Sequence, residues 1–566
     1  MTSVSSSEQA KFGRVLIAGG TDWPSLGRKE GKIDLRPNLM GPHILRSLCN
    51  VQVQSVHSSP SGSHFICIDT IGHAHLFGRN SPSALGSPQA DPTSPSVFRP
   101  RGVGLAFDVE DLPSFESCMP HVAEFVSETR PKMISPDMVG AKKKAKFVKG
   151  VVGRGLSILI DSEGDAWVSG EDKLGQCGLS SSSSMIKNFT RIKGPWGSKK
   201  IVDGSAGVNF SLLLDEEGKV YSFGSAEFGQ LGHGKTGEHI ISSGKNGFEV
   251  SWEPKLIKAL DDKKIVQIAS GNSHSLALDS EGFVYVWGYN GYCRLGLGHQ
   301  KDQLLPVVVP QFAQEKVILR AKSIACGPAS SMVIDNQSML LVAGRWKTTG
   351  EGSSGAPYTT FRFMSDMMQC KVTKVCAGSS AFFALSANPE KPAGTDEMIT
   401  IGWGQAIQHG ELAVGEGQPK SMTRPAKNFT LDGIKILDAA CSAYTTVFLA
   451  EPSDAFSELP RHPLIEGLED EPCAICRKND SPGALEPLAC DFCERAFHPS
   501  CLTPPLTAIP EEPEWFCPDH VTARPSFSAR YDHRGMPLAL STTTGGKRKA
   551  TTAAADNGKP KSGERF

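Results

Sequence analysis

The stretch CDFCERAFHPSC, residues 490 to 501, sets three cysteines and one histidine within twelve residues. The spacing around it runs in pairs separated by two residues: Cys473 and Cys476, Cys490 and Cys493, His498 and Cys501, Cys517 and His520. A tight turn of that length points both side chains at one ion, and thiolate sulfur with imidazole nitrogen is a zinc donor set. Eight ligands suffice for two tetrahedral Zn2+ ions with no position left for water, so the chemistry predicted is structural, not catalytic. The metal also answers an energetic problem. A segment of about fifty residues with few large apolar side chains cannot fold on burial alone, and zinc supplies roughly 10 kcal/mol or more per site in small fingers. Without zinc the module is expected to unfold.

Charge narrows what such a module binds. From Glu451 to His520 fifteen Asp or Glu oppose four Lys or Arg. Each zinc held by three thiolates and one imidazole adds about one more negative unit. A cationic peptide is the partner this predicts, rather than nucleic acid.

A histidine in fifth place (His498), with Trp515 two residues before the seventh ligand, resembles the plant homeodomain (PHD) finger. A RING finger of the ubiquitin ligases would carry histidine fourth, which counts against ligase activity. The resemblance implies interleaved coordination: Cys473, Cys476, His498 and Cys501 on one zinc, Cys490, Cys493, Cys517 and His520 on the other. His520 departs from the usual eighth cysteine, and imidazole serves zinc comparably well. The resemblance also implies that the N-terminal tail of histone H3 adds as a strand beside LEPLAC, 485 to 490, through Leu488, with carboxylates meeting its basic groups. Glu471 and Asp491 match positions that meet a tail unmodified at its fourth-position lysine, and Glu469 and Asp470 extend that acidic rim. Trimethyl-lysine would need an aromatic cage, but the position two before His498 is Ala496, and Phe492, Phe497, Trp515 and Phe516 are the finger's only aromatics. Pro487 removes one backbone donor from the receiving strand.

The residues before the finger carry repeats. HFICIDTIGHAHLFGRNSPSALG (64 to 86), LSILIDSEGDAWVSGEDKLGQCG (156 to 178), SLLLDEEGKVYSFGSAEFGQLG (211 to 232) and SLALDSEGFVYVWGYNGYCRLG (275 to 296) share one template. Each is an alternating strand, a turn of the D-x-E-G type or a variant of it, a second strand ending near aromatic-Gly, and a loop closing on L-G or C-G. Weaker copies at 321 to 346 and 372 to 415 make six. The seventh is split: ILDAACSAYTTVFLA (436 to 450) is a front half and RVLIAGGTDWPSLGR (14 to 28) a back half. Small radial sheets protect their edges when the ring shuts, which predicts an all-β, seven-bladed β-propeller over 13–452.

G-Q-L-G at Gly229 to Gly232 and V-Y-x-W-G at Val284 to Gly288 resemble regulator-of-chromosome-condensation (RCC) repeats. GGTDWPSLGRKE (19 to 30), MGPH (40 to 43), GYNGYCRLG (288 to 296) and LDGI (431 to 434) are similar to the branch of that family containing the telophase disc protein. This resemblance implies a nuclear, chromatin- or centromere-associated propeller with links to small GTPases. The expected organisation is a disordered N-terminus (1–12), the propeller with a long inserted loop (88–146), a linker (453–468), the finger (469–521) and a disordered basic tail (522–566).

The remaining readings set bounds. The chain has 566 residues, 39% of them hydrophobic, and net charge -1, enough for a large core and more than one domain. At the N-terminus VLIA is too short for a signal core or membrane span, so an intracellular protein without membrane contact is expected. Scattered cysteines outside the finger read as reduced packing residues. GGKRKA around Lys547 to Lys549, KPK at 559–561 and AKKKAK around Lys142 to Lys144 could serve as import addresses or touch DNA phosphate. His274 has no nucleophile-base set beside it and no phosphate-cradling loop is visible, so no enzyme is predicted. Nucleotide exchange on a GTPase through the connection 234 to 252 is the alternative function.

Overall fold

The computed structural model describes residues 12–21, 38–48, 51–80, 83–86, 131–180, 183–242, 245–347, 356–392, 395, 397–405, 407–417, 421–452 and 459–462, together with 473, 475–476, 485–489, 496–510, 515 and 517. Seven radial sheets form the ring. The first six are consecutive four-stranded units beginning at Val53, Phe147, Ile201, Ile265, Ala321 and Lys371. The seventh takes Ile436–Cys441 and Thr445–Ala450 from one end of the ring and Arg14–Gly20 and Asn38–Leu45 from the other. Arg14–Gly20 lies antiparallel to Thr445–Ala450, with Leu16 opposite Phe448. Innermost strands neighbour one another around the channel, and Ile436–Cys441 meets Val53–His57 to shut it.

Side chains explain the repeat. At the turn of the third blade, Asp215 Oδ1 accepts the backbone N–H groups of Glu217 and Lys219, and Oδ2 accepts the Tyr221 hydroxyl at 2.9 Å. Gly218 sits at φ 86, where a side chain would meet the Ile265 backbone. Each hydrogen bond is worth about 1 kcal/mol net, and a buried carboxylate stripped of them would cost more. Asp69, Asp161 and Asp279 repeat this arrangement toward His75, Trp167 and Tyr285.

The closing loop of the template hooks one blade to the next. The backbone oxygen of Gln176 accepts the Ser211 hydroxyl, that of Gln230 the Trp287 indole, that of Arg294 the Ser331 hydroxyl and that of Glu411 the Thr446 hydroxyl, at 2.6 to 2.9 Å. At the channel, Lys149 meets Asp203 at 3.0 Å, Gln267 bonds the Ile324 backbone, and Lys374 pairs with Asp438. Each of these contacts joins adjacent blades.

Two boundaries differ from the sequence expectation. The insert expected over 88–146 is in part framework: Lys132–Ile134 is the fourth strand of the first blade, opposite Ala74–Gly78, and Lys132 caps the Gly86 carbonyl. Three residues with one buried side chain leave no alternation to read. Residues 87–130 lie outside the described residues. Within the expected linker 453–468, Arg461–His462 pairs parallel with Ile44 and Leu45, and Ile44 N–H donates to the Pro460 carbonyl. This fifth strand covers the edge of the closing blade, a pairing driven by unpaired backbone groups rather than by any local pattern. The N-terminal eleven residues, the tail and its basic clusters lie outside the described residues, whereas Lys142 to Lys144 are exposed.

Candidate metal centre

Cys473 opens a turn through Ile475 to Cys476, and His498 follows the second strand of a two-stranded sheet. That sheet pairs Leu488 with Phe497 and Ala489 with Ala496, antiparallel. A single helical turn, Pro499–Cys501, then brings Cys501 back, its N–H bonded to the His498 carbonyl at 2.9 Å. The ligand atoms of Cys473, Cys476, His498 and Cys501 all lie within 4.8 Å of one another. His498 Nδ1 faces the cluster, 3.3 Å from Cys476 Sγ and 3.8 Å from Cys501 Sγ. A tetrahedral zinc shell places its donors about 3.7 Å apart, so the residues present fit the ion.

The local electrostatics suit a cation. Burial raises the Cys473 thiol, but N–H groups of Cys476, His498 and Ile475 outweigh it and bring the group down to about 7. The His498 N–H donates to this sulfur at 3.3 Å. Cys501, by contrast, is pushed up to about 11 by burial and by the neighbouring thiols of Cys476 and Cys473. A metal ion reverses that repulsion by binding all three as thiolates. Phe497 and Ala496 are buried, and Trp515 stands edge-on to Phe497 with ring centroids 5.4 Å apart. Both aromatics are packing residues, not a cage.

The structure brings together the first predicted zinc quartet. Of the second, Cys517 is buried, while Cys490, Cys493 and His520 lie outside the described residues, as do Glu469, Asp470, Glu471 and Asp491. Leu488 is half-buried and packs toward the cluster containing Phe497, Leu502 and Cys517. That cluster continues into the propeller through Ile44, Leu431 and Phe448, so the finger's core and the closing blades share one apolar region.

Beyond the finger, the connection 234 to 252 forms a hairpin, His239–Ser242 against Lys245–Gly247, before entering the third blade at Val250. Ile240 and Ile241 are 81% and 67% exposed there. His274 is fully buried, and its desolvated ring sits well below the usual histidine range. The sequence reading did not find the adjacent thiols of Cys376 and Cys441 or the buried carboxyl of Glu411. A repeat alignment marks Glu411 as an acid in the glutamine position, but the thiol pair has no local signal.

The RCC1-like domain matches residues 14–451, and the PHD-finger matches residues 473–519. Protein RCC2 homolog from Danio rerio is 28% identical over 440 residues, covering 75% of this chain and 77% of that protein. Protein RCC2 from Homo sapiens is 26% identical over 440 residues, covering 75% and 73%. Two solved structures share the fold. Human WBSCR16 has a TM-score of 0.56 at 17% identity, covering 77% of this chain and 99% of that one. Prp20p from Saccharomyces cerevisiae, whose structure was described with its binding properties to Gsp1p and histones, has a TM-score of 0.57 at 17% identity, covering 79% and 93%.

Proposed function

Because this chain belongs to the RCC1-like domain family and joins that propeller to a PHD finger, we propose that it is a non-enzymatic nuclear adaptor that docks its propeller on chromatin. The propeller is the rigid platform. The finger holds two structural zinc ions, the second on Cys490, Cys493, Cys517 and His520, and receives the N-terminal tail of histone H3 with its fourth-position lysine unmodified. The observation that carries this reading is a closed Cys3His cluster beside a two-residue strand, Leu488–Ala489, within a segment of fifteen acidic and four basic residues. Among the described residues that strand has one partner strand, which leaves an edge for a peptide. Glu471 and Asp491, with Glu469 and Asp470 behind them, would meet the tail's lysine and arginine. Basic segments could add weak contacts to DNA phosphate and raise residence on a nucleosome by effective concentration.

Calorimetry of the full zinc-loaded chain against H3 tail peptides tests it. The unmodified peptide should bind in the micromolar range, and Glu471→Ala and Asp491→Ala should each weaken it about tenfold, the loss of one charged contact. Equal affinity for a peptide trimethylated at that lysine, or no binding, would overturn the reading.

A second reading, guanine-nucleotide exchange or other regulation of a small GTPase, is favoured by one feature. The exposed isoleucines of the hairpin lie on a projection that the ring does not need for closure. An apolar projection of this kind fits a partner surface.

A further inference from the structure

Two cysteines from different blades stand sulfur to sulfur where the sixth blade packs against the closing blade. Cys376 lies on the innermost strand of the sixth blade, Lys371–Ala377, and Cys441 on the innermost strand of the seventh, Ile436–Cys441. Their Sγ atoms are 3.4 Å apart although 65 positions separate them in the chain. The same two strands are already joined by the Lys374–Asp438 ion pair. Gly378 allows the approach, since a side chain there would come within 2.9 Å of Cys441 Cβ and within 2.3 Å of the Ser442 oxygen. Both thiols are free, Cys376 half-buried and Cys441 buried.

We propose that Cys376 and Cys441 are a redox site, and that a hydroperoxide converts them to a disulfide locking the sixth blade to the closing blade. Closure moves the two sulfurs together by a little more than ~1 Å, to a bond of about 2.05 Å. In the first step the more accessible sulfur, Cys376, takes one oxygen of the peroxide as the O–O bond breaks, giving a sulfenic acid and one water. The Cys441 sulfur then displaces that oxygen, and its thiol proton leaves with the hydroxide as a second water. Two thiols lose two electrons and two protons, and one hydrogen peroxide becomes two waters. Burial holds the Cys441 thiol well above the ordinary range, and its neighbour adds to this, so the first attack on peroxide falls to the more accessible Cys376.

The tie joins the innermost strand of the sixth blade to that of the seventh, Ile436–Cys441, and so holds together the C-terminal side of the closing blade, whereas the closure itself lies between Thr445–Ala450 and Arg14–Gly20. A covalent tie between strands 65 positions apart restricts the unfolded chain.

Full zinc-loaded chain treated with hydrogen peroxide tests this by peptide mapping without reduction. A linked pair of peptides containing Cys376 and Cys441, lighter by two hydrogens and released by dithiothreitol, is expected. The melting temperature should rise by about 3 °C on oxidation, and Cys376→Ser and Cys441→Ser should each abolish that rise while folding under reducing conditions. Alkylation of both thiols after the peroxide treatment would overturn the proposal. So would a link only between copies, or a rise that survives Cys376→Ser; the mapping of the unsubstituted chain decides the matter even if a variant fails to fold.

Discussion

Glu411 shows how one side chain departs from its repeat without leaving the fold. In the second and third blades Gln176 and Gln230 occupy the same place, each accepting a backbone N–H through Oε1, from Leu174 and Phe228. Glu411 keeps that bond, from His409 to Oε2 at 2.9 Å, but its Oε1 is buried with no well-directed donor. Burial is the largest influence and pushes the carboxyl from 4.5 up to about 7, against backbone N–H groups that pull it down. The folded state therefore holds a proton that the unfolded state has lost. The stability it contributes is full below pH 4.5 and is lost as pH rises toward 7, which amounts to about 3 kcal/mol. Glu411→Gln should flatten the pH dependence of the melting temperature between pH 5 and 8, and raise it at the alkaline end. Parallel profiles for the two proteins would remove Glu411 as the cause.

At the scale of elements, the hooks between blades and the hairpin have opposite duties. The carbonyls of Gln176, Gln230, Arg294 and Glu411 each face a donor from the next blade, so these loops are fixed by burial and hydrogen bonding together. The hairpin His239–Ser242 with Lys245–Gly247 has no such duty, for Ile240 and Ile241 stand 81% and 67% exposed. Residues that bury little surface contribute little to stability. Ile240→Ser combined with Ile241→Ser should leave the melting temperature within about 1 °C, and should abolish any acceleration of nucleotide release from a small GTPase. Release that persists in the double variant would remove the hairpin from that reading, and melting several degrees lower would show that it supports the ring after all.

Across the whole molecule, the finger and the ring are mechanically linked. Arg461–His462 extends the closing blade, and Phe497, Leu502 and Cys517 belong to the apolar cluster that holds Ile44, Leu431 and Phe448. Removing zinc should therefore do more than unfold a small module. Treating the full chain with a chelator should release zinc and expose side chains such as Phe497, each worth about 1.5–3 kcal/mol when buried. The propeller transition seen by calorimetry should then fall by about 2 °C. Full structure without metal, or a ring transition that does not move, would separate the two parts.

The repeats at 64 to 296 carry strong local signals, because an Asp that feeds its own turn and a glycine at positive φ act over a few residues. The first quartet of zinc ligands was legible for the same reason: paired spacing is chemistry written in consecutive residues. Lys132–Ile134 and Arg461–His462 were not legible, since edge strands of two or three residues answer to an open sheet edge rather than to an alternation of their own. Residue order alone thus determined the seven units, their circular closure and the metal-binding character of the finger. Only the closed ring decided which distant groups would touch, setting Cys376 beside Cys441 and Glu411 in a dry loop, because contact across a seam depends on how whole blades pack and not on what stands next in the chain.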